Sequence, residues 1–346
     1  MDLRAKFVDL LPKQAIRLFA GPYVAGDSME AALHKARELA HLGVASTIDV
    51  LGEDAASDQD IADYVSLYTR LVDTIADDAR FTPLPAGLRP SISLKPSSFV
   101  IAPKDDTGMV IRPEAIDRQV CAHAIGQAVA RAAARDVRAT IDMENHQWTD
   151  LTLAIYRELF AQYGPIVGTV VQSRLLRTDR DIEHLPDGCR IRLCIGIYNE
   201  PAHVALQSIP EMKARMIPQA RRLFEKNVFV EFATHDLPLM ERFVREVVFP
   251  MQVPPDRFET QTLLGVPRQR LVRDLISGVY FRSLDGAPAA RAALERGIVH
   301  RFYVPFAENW DKAIAYSRRR LRHSPSIFWT GLINAPRVLY YAMLGK

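Results

Sequence analysis

Short runs rich in β-branched and aromatic residues recur along the chain, separated by longer stretches with apolar residues at helical spacing. The runs are VASTIDV (44–50), SISLK (91–95), RATIDM (138–143), IVGTVVQ (166–172), RIRLCIG (190–196), VFVEFAT (228–234), FETQTLL (258–264) and HRFYVPF (300–306). Each has the length and composition of a strand. Between them, 57–78 carries Ile61, Tyr64, Leu67, Leu71 and Ile75 on one helical face, 113–135 is Ala-rich, and 148–163 carries Leu151, Ile155 and Leu159. A helix before the first strand starts at Asp27–Ser28, good N-cap residues, and turns Met29, Leu33, Ala36 and Leu39 inward. Strand and helix in alternation predict parallel strands joined by crossover helices. Eight such units close into a (β/α)8 barrel of the TIM type. An open doubly wound sheet is the alternative, but the GxGxxG that would open it is missing. The expected organisation is an N-terminal helical segment (1–43) packing on the barrel, the barrel itself (44–323), and an apolar C-terminal helix (324–346). The Pro- and Gly-rich stretches 80–90 and 102–113 read as loops.

Composition narrows the function classes. With 346 residues, 44 Lys plus Arg against 41 Asp plus Glu and a net charge of +3, the chain is too balanced for nucleic acid to be its main partner. At 48% hydrophobic and 25% charged residues it has ample material for a core. Three cysteines (Cys121, Cys189 and Cys194) and no CxxC argue against a disulfide framework or a cysteine-based zinc site, and for a reducing compartment. The first twenty residues carry charges at Asp2, Arg4, Lys6 and Asp9 and no apolar run of signal-peptide length. The last twenty are the most apolar part, interrupted by Pro336 and Arg337, so they read as a helix packed on the fold; Trp329, Tyr340 and Tyr341 would also suit peripheral contact with a membrane face. The expected location is the cytoplasm, with that contact as a possibility at the inner face.

The strand ends carry Asp49 and Glu53, Lys95, Asp142 and Glu144, Gln172, Arg192, Thr234 and His235, Gln261, and Tyr303. Barrel enzymes place their chemistry at these ends, whereas inward positions are mostly Val, Ile and Leu. A lysine, an aspartate and an arginine near one axis are expected to pair, because a buried unpaired charge is costly. The run Tyr316-Ser317-Arg318-Arg319-Arg320 falls in a helical pattern (309–322). Neighbouring residues on a helix diverge by about 100°, so the three arginines cannot share one partner. The run reads either as a solvated basic face or as a carboxylate clamp, since guanidinium groups grip carboxylates in bidentate fashion. On a barrel this helix lies at the rim beside strand one, near Glu53. GxSxG, HExxH and P-loop motifs are lacking, His123 and His146 have no metal-like spacing, and His300 starts its strand, the wrong end for chemistry. No metal is expected. Cys189 and Cys194 read as core residues. Asp142 and Glu144 also allow acid–base work on sugars.

In chain order the segments RLFAGPYVAGDSMEAAL, STIDVLGE (46–53), SISLK, TIDMEN (140–145), VVQ (170–172), RLCIGIY (192–198), FATHD (232–236), FETQTLLGV (258–266), RFYVPF (301–306) and YSRRRL (316–321) form a recognisable set. YxxRR (Tyr316, Arg319, Arg320) together with ATH, FExQ and DxE in this order is the specific part. On these residues the chain resembles the proline dehydrogenase family, flavin enzymes that oxidise L-proline. The resemblance implies a distorted (β/α)8 barrel binding FAD without covalent attachment. It implies that Lys95, Arg319 and Arg320 hold the proline carboxylate, that Tyr303 and Tyr316 pack against the ring, that Asp142 orients a clamp arginine, and that Glu53 is a gate pairing with Arg319 when the site is empty. Gln172 and Arg192 would contact the isoalloxazine, Arg192 near N5. Gly196 and Tyr198 would belong to the cofactor site, and Thr234, His235 and Gln261 would line the rest of the FAD. L-proline is the implied substrate, a quinone the implied electron acceptor, and a separate pyrroline-5-carboxylate dehydrogenase the implied downstream partner.

The sequence departs from the family pattern at four places. Ile195 stands where KGAY has its lysine, and His323 stands where a glutamate follows the second clamp arginine. Asp236 replaces a common asparagine, and Ala307 replaces a common glycine. Two other readings stay open: a divergent relative oxidising another cyclic imino acid (hydroxyproline or a proline derivative), and a non-catalytic barrel that only binds a ligand. Tyr303 argues against hydroxyproline, because relatives handling it tend to have a smaller residue there.

Overall fold

The computed structural model describes residues 21–52, 54–105, 107–310 and 313–314. All eight expected strands are present: β1 (Ala45–Leu51), β2 (Ser91–Leu94), β3 (Ala139–Ile141), β4 (Val167–Gln172), β5 (Arg190–Cys194), β6 (Phe229–Ala233), β7 (Phe258–Leu263) and β8 (His300–Ala307). Each pairs in parallel with the next, and β8 closes on β1 through the register Ala45↔Arg301 to Leu51↔Ala307. The structure is therefore a closed parallel barrel surrounded by helices, and the open-sheet alternative is excluded.

The outer wall of the barrel is apolar. Ile48, Val50, Ile92, Leu94, Ile191, Leu193, Val230 and Phe232 are buried in one cluster with the inner faces of the surrounding helices. Those helices include α1 (Met29–His41), α2 (Asp58–Asp77), α3 (Arg118–Ala134), α4 (Thr149–Tyr163), α5 (Thr178–Glu183), α6 (Ile209–Glu225) and α7 (Leu237–Phe243). Each large apolar side chain removed from water here contributes about 1.5–3 kcal/mol. Phe232 of β6 stacks on Phe243 of α7 with ring centroids 3.9 Å apart.

Helix starts follow their caps. Ser28 Oγ accepts from Ala31 N–H and opens α1, and Ser57 Oγ accepts from Asp60 N–H and opens α2. The expected helix 113–135 begins later, at Arg118. Pro113–Ala115 form a separate tight turn, and the cap is Asp117, whose carboxylate accepts from Gln119 and Val120 N–H.

The barrel is distorted in one respect. The place between β8 and β1 on the outside, which a helix following β8 takes in a regular barrel, is held by α1, which precedes β1. The chain leading into α1 runs along the end of β8, with Ala25 N–H donating to Pro305 O and Ala307 N–H to Gly26 O. Ala313, just beyond β8, packs instead on Val24, Leu51 and Ala307 at the strand ends. Most of the helical pattern 309–322 lies outside the described residues. The C-terminal segment 324–346 and the first twenty residues lie outside the described residues. No described helix is long and apolar enough to cross a membrane.

Candidate active site

Strand alternation that turns apolar residues outward turns their neighbours into the barrel. In this chain many of those neighbours are charged and others are Ser or Thr. Contacts between strands that are not neighbours show that they meet across the interior. Arg190 of β5 reaches Thr140 Oγ1 of β3 (3.0 Å), and Tyr303 Oη of β8 donates to Asp142 Oδ2 just after β3 (2.7 Å). Among the described residues, four cations (Lys95, Arg190, Arg192, Arg301) and four carboxylates (Asp49, Asp142, Glu231, Glu259) are buried together, each cation paired with one carboxylate.

The floor lies toward the strand starts. Arg301 Nε donates to Glu259 Oε1 (2.6 Å) and its Nη1 to Ser46 O (2.8 Å). Arg190 pairs with Glu231 and donates to Ala139 O (2.8 Å). Its guanidinium crosses β4 at Gly168, where any Cβ would come within 2.8–2.9 Å of it. Gln261 links floor to mouth. Its Nε2 donates to Glu231 Oε2 and Glu259 Oε1 (2.7 Å each), so its Oε1 is left to accept from Arg192 Nε (2.6 Å). Burial works against the Glu231 carboxylate, but Arg190, Arg192 and Arg301 outweigh it and lower its pKa to about 2.

At the mouth, Arg192 Nη1 donates to Asp142 Oδ1 (2.6 Å), and the guanidinium sits 5.3 Å from the Tyr303 ring centroid. Burial pulls the Arg192 pKa down, but Asp142 and Glu231 hold it above its ordinary value. Lys95 follows β2 directly. Its ammonium pairs with Asp49 and lies 3.5 Å from Tyr303 Oη. Lys95, Asp142, Arg192, Gln261 and Tyr303 are thus one connected cluster. The expected pairing of lysine, aspartate and arginine occurs, with Asp49 as the lysine's carboxylate. Among the described residues, the arginine that Asp142 pairs with is Arg192; the clamp arginines Arg319 and Arg320 that it was expected to orient, with Tyr316, Glu53 and His323, lie outside the described residues.

Other candidates stand around this cluster. Gln172 Nε2 donates to Glu144 O (2.8 Å), which leaves its Oε1 buried with no hydrogen-bond partner among the described residues. Arg192 Nη2 is in the same condition. Two buried polar atoms with open valences at adjacent strand ends suit a polar ring that both donates and accepts, as an isoalloxazine does. Gly196, with φ +94°, packs its bare α-carbon against Gln172 and Arg174. Tyr198 is half-buried in the same loop, its carbonyl accepting from Arg174. Thr234 Oγ1 accepts from Asp236 N–H (3.1 Å), and the His235 carbonyl accepts from Arg268 (3.3 Å). Glu144 does not converge with Asp142, because its carboxylate accepts from Ser97 N–H (2.8 Å), so the acid–base pair reading lacks support.

Residues set aside on sequence grounds stay outside the site. His300 bonds Thr260 Oγ1 (2.9 Å) and Thr262 Oγ1 (3.0 Å), and burial, with help from His235 and Arg301, lowers its pKa to about 3. His146 pairs with Glu200. No group of metal-ligating side chains occurs among the described residues. Burial pushes the Cys189 and Cys194 thiols up to about 11. The sequence reading missed Arg190, Glu231, Glu259 and Arg301. The signal was there, because Arg190 and Arg192 on β5, Glu259 and Gln261 on β7, and Arg301 and Tyr303 on β8 are each two apart and share a face.

A sequence model of the proline dehydrogenase family matches residues 32–192. The chain is similar over nearly its whole length to proline dehydrogenases: 26% identical over 311 residues to proline dehydrogenase 1 of Bacillus subtilis (strain 168), covering 90% of this chain and 88% of that protein, and 29% identical over 324 residues to proline dehydrogenase of Deinococcus radiodurans, covering 92% and 90%. The chain is thus similar to the proline dehydrogenase family, whose model matches just under half of it. Among solved structures it shares its fold with proline utilization A from Bdellovibrio bacteriovorus inactivated by N-propargylglycine, with a TM-score of 0.69 and 20% identity over 88% of this chain. It spans about a third (32%) of that longer chain. Three departures from the family pattern have local explanations. Ile195 packs against the hydrophobic core, Asp236 caps α7 at Leu239 N–H (2.9 Å) and pairs with Lys213, and Ala307 is fully buried beside Val24 and Leu51.

Proposed function

We propose that this protein oxidises L-proline to 1-pyrroline-5-carboxylate with a non-covalently bound FAD. The observation that carries the reading is the single buried cluster of Lys95, Asp142, Arg192, Gln261 and Tyr303 at the barrel mouth, on a chain similar to this family. FAD would supply the two-electron acceptor, taking the hydride that leaves proline C5, while the nitrogen gives up its proton and the C=N bond forms. Gln172 and Arg192, with one open valence each, would hold the flavin ring, and Gly196, Tyr198, Thr234 and His235 would line the remainder of that site.

The chain's own residues would do the following. Lys95, with Arg319 and Arg320, would fix the substrate carboxylate, so that binding energy is used to hold C5 in one orientation. Tyr303 and Tyr316 would flank the ring, and Tyr303 is held for this by its bond to Asp142. Glu53 would pair with Arg319 until substrate arrives. The cationic surroundings of Lys95 and the clamp would lower the pKa of the substrate amine, favouring the neutral form that hydride loss requires. Arg192, held charged by Asp142 and Glu231, would favour negative charge accumulating on the ring beside it. A quinone is the proposed final acceptor, a pyrroline-5-carboxylate dehydrogenase the proposed next enzyme, and the cytoplasm the proposed location, with the apolar segment 324–346 as a possible membrane contact.

The test is an anaerobic absorbance spectrum. Purified protein is expected to be yellow and to bleach on addition of L-proline. Colourless protein that takes up no FAD favours the non-catalytic barrel. Yellow protein bleached by a different cyclic imino acid, but not by proline, moves the substrate and keeps the chemistry.

A further inference from the structure

Arg174 stands two residues beyond β4 and is 9% exposed. Its backbone is fixed on both sides: its N–H donates to Ile195 O (3.1 Å), and its carbonyl accepts from Leu206 N–H (2.8 Å). Its side chain is treated unlike the other arginines of the barrel. Arg190, Arg192 and Arg301 each meet a carboxylate, whereas Arg174 has none within 4.0 Å among the described residues. The guanidinium donates through Nη1 to the neutral carbonyl of Tyr198, and its buried Nε has no partner among the described residues. Glu200, whose field reaches it, is bonded through its two oxygens to the N–H and Nδ1 of His146. Burial therefore works against this charge, and the field of Glu200 offsets it only in part.

This cation is also next to the atoms already assigned to the flavin. A Cβ on Gly196 would come within 2.9 Å of Arg174 Cδ and would run into Gln172 Oε1, the buried acceptor without a partner. Gln172, Arg174 and the Gly196 backbone are thus one packed patch at the ends of β4 and β5. Its backbone N–H bonded to the Ile195 carbonyl, Arg174 brings a positive charge beside the loop that holds Gly196 and Tyr198.

We propose that Arg174 is an anion-binding residue of the cofactor site and contacts the diphosphate of the dinucleotide. The proposal rests on the flavin reading above. The proline carboxylate already has its handle in Lys95 and the clamp, so the diphosphate is the other anion that the reading brings to this mouth.

FAD and riboflavin share the ring and differ in the diphosphate, so titrating deflavinated protein with each, followed by flavin fluorescence, separates the two claims. Arg174→Met is expected to weaken FAD binding about 10- to 100-fold, the range for a hydrogen bond to a charged group, and to leave riboflavin binding unchanged. Arg174→Lys should recover much of the FAD affinity. In the wild-type protein, inorganic pyrophosphate should compete with FAD and not with riboflavin, a measurement that stands even if Arg174→Met does not fold. Unchanged FAD affinity in Arg174→Met, equal loss of both flavins in a folded variant, or absence of pyrophosphate competition overturns the proposal. Wild-type protein that binds neither flavin overturns the flavin reading itself, and this proposal with it.

Discussion

The floor and the mouth of the barrel are made of the same residue types, yet they end differently. At the floor, Arg301 and Glu259, Arg190 and Glu231 bond one another and the backbone of neighbouring strands, and Gly168 gives way so that Arg190 can lie flat. At the mouth, Arg192, Gln172 and Arg174 each keep a buried polar atom without a partner among the described residues. A buried polar group left open costs about 1–3 kcal/mol, and the proposed flavin is what would satisfy these three. The difference separates two arrangements of buried charge in one cavity: paired with one another at the bottom, and at the top keeping polar atoms for the proposed cofactor.

The largest expected effect breaks the floor. Glu259→Ala leaves Arg301 buried and charged with no carboxylate, and should reduce unfolding free energy by about 3–5 kcal/mol, measured by urea denaturation. Stability within error of wild type would mean that the floor is not the closed network described. At the mouth, Asp142→Asn keeps the shape of the side chain and removes its charge from Arg192. Turnover of proline (kcat/KM) should fall about 10- to 100-fold, with a smaller stability loss than Glu259→Ala. The reverse ranking, large destabilisation with activity intact, would erase the distinction between the two ends.

A third effect comes from His300 at the floor end of β8. Its folded pKa of about 3 lies below the ordinary histidine value, so the unfolded chain binds the extra proton. The sign follows: no penalty applies above about pH 6.5, and stability is lost progressively as pH falls from there toward pH 3. At pH 5 the loss attributable to this residue is about 2 kcal/mol. His300→Asn should show a shallower decline in stability between pH 7 and pH 5, and an unchanged slope would show that His300 does not carry it.

The barrel was legible because alternation and helical spacing are local signals: all eight runs became strands, and Ser28 capped α1 where the sequence placed it. Strand ends were legible for the same reason, so Lys95, Asp142, Arg192, Gln261 and Tyr303 were found together. Pairing was less so. Asp49 meets Lys95 through the register of β1 on β2, and Tyr303 meets Asp142 only because the sheet closes and brings β8 across from β3. Nor does a glycine in IVGTVVQ announce that an arginine of the next strand lies across it. Arg174 was passed over because one arginine beyond a strand reads as surface, and its lack of a paired carboxylate among the described residues exists only in three dimensions.

The smallest effect tests whether the two ends are coupled. Tyr303 donates to Asp142, and Asp142 accepts from Arg192, which reaches Gln261 and through it both floor glutamates. Tyr303→Phe removes one hydroxyl at the top of this chain and leaves the ring beside Arg192. A single hydrogen bond contributes about 0.5–1.5 kcal/mol, so kcat/KM for proline should fall only about 2- to 10-fold. If the chain acts as a unit, Tyr303→Phe combined with Asp142→Asn should lose less than the product of the two separate effects, since the hydroxyl has already lost its charged acceptor. Losses that multiply would place Tyr303 in contact with substrate by itself, its bond to Asp142 contributing nothing to catalysis.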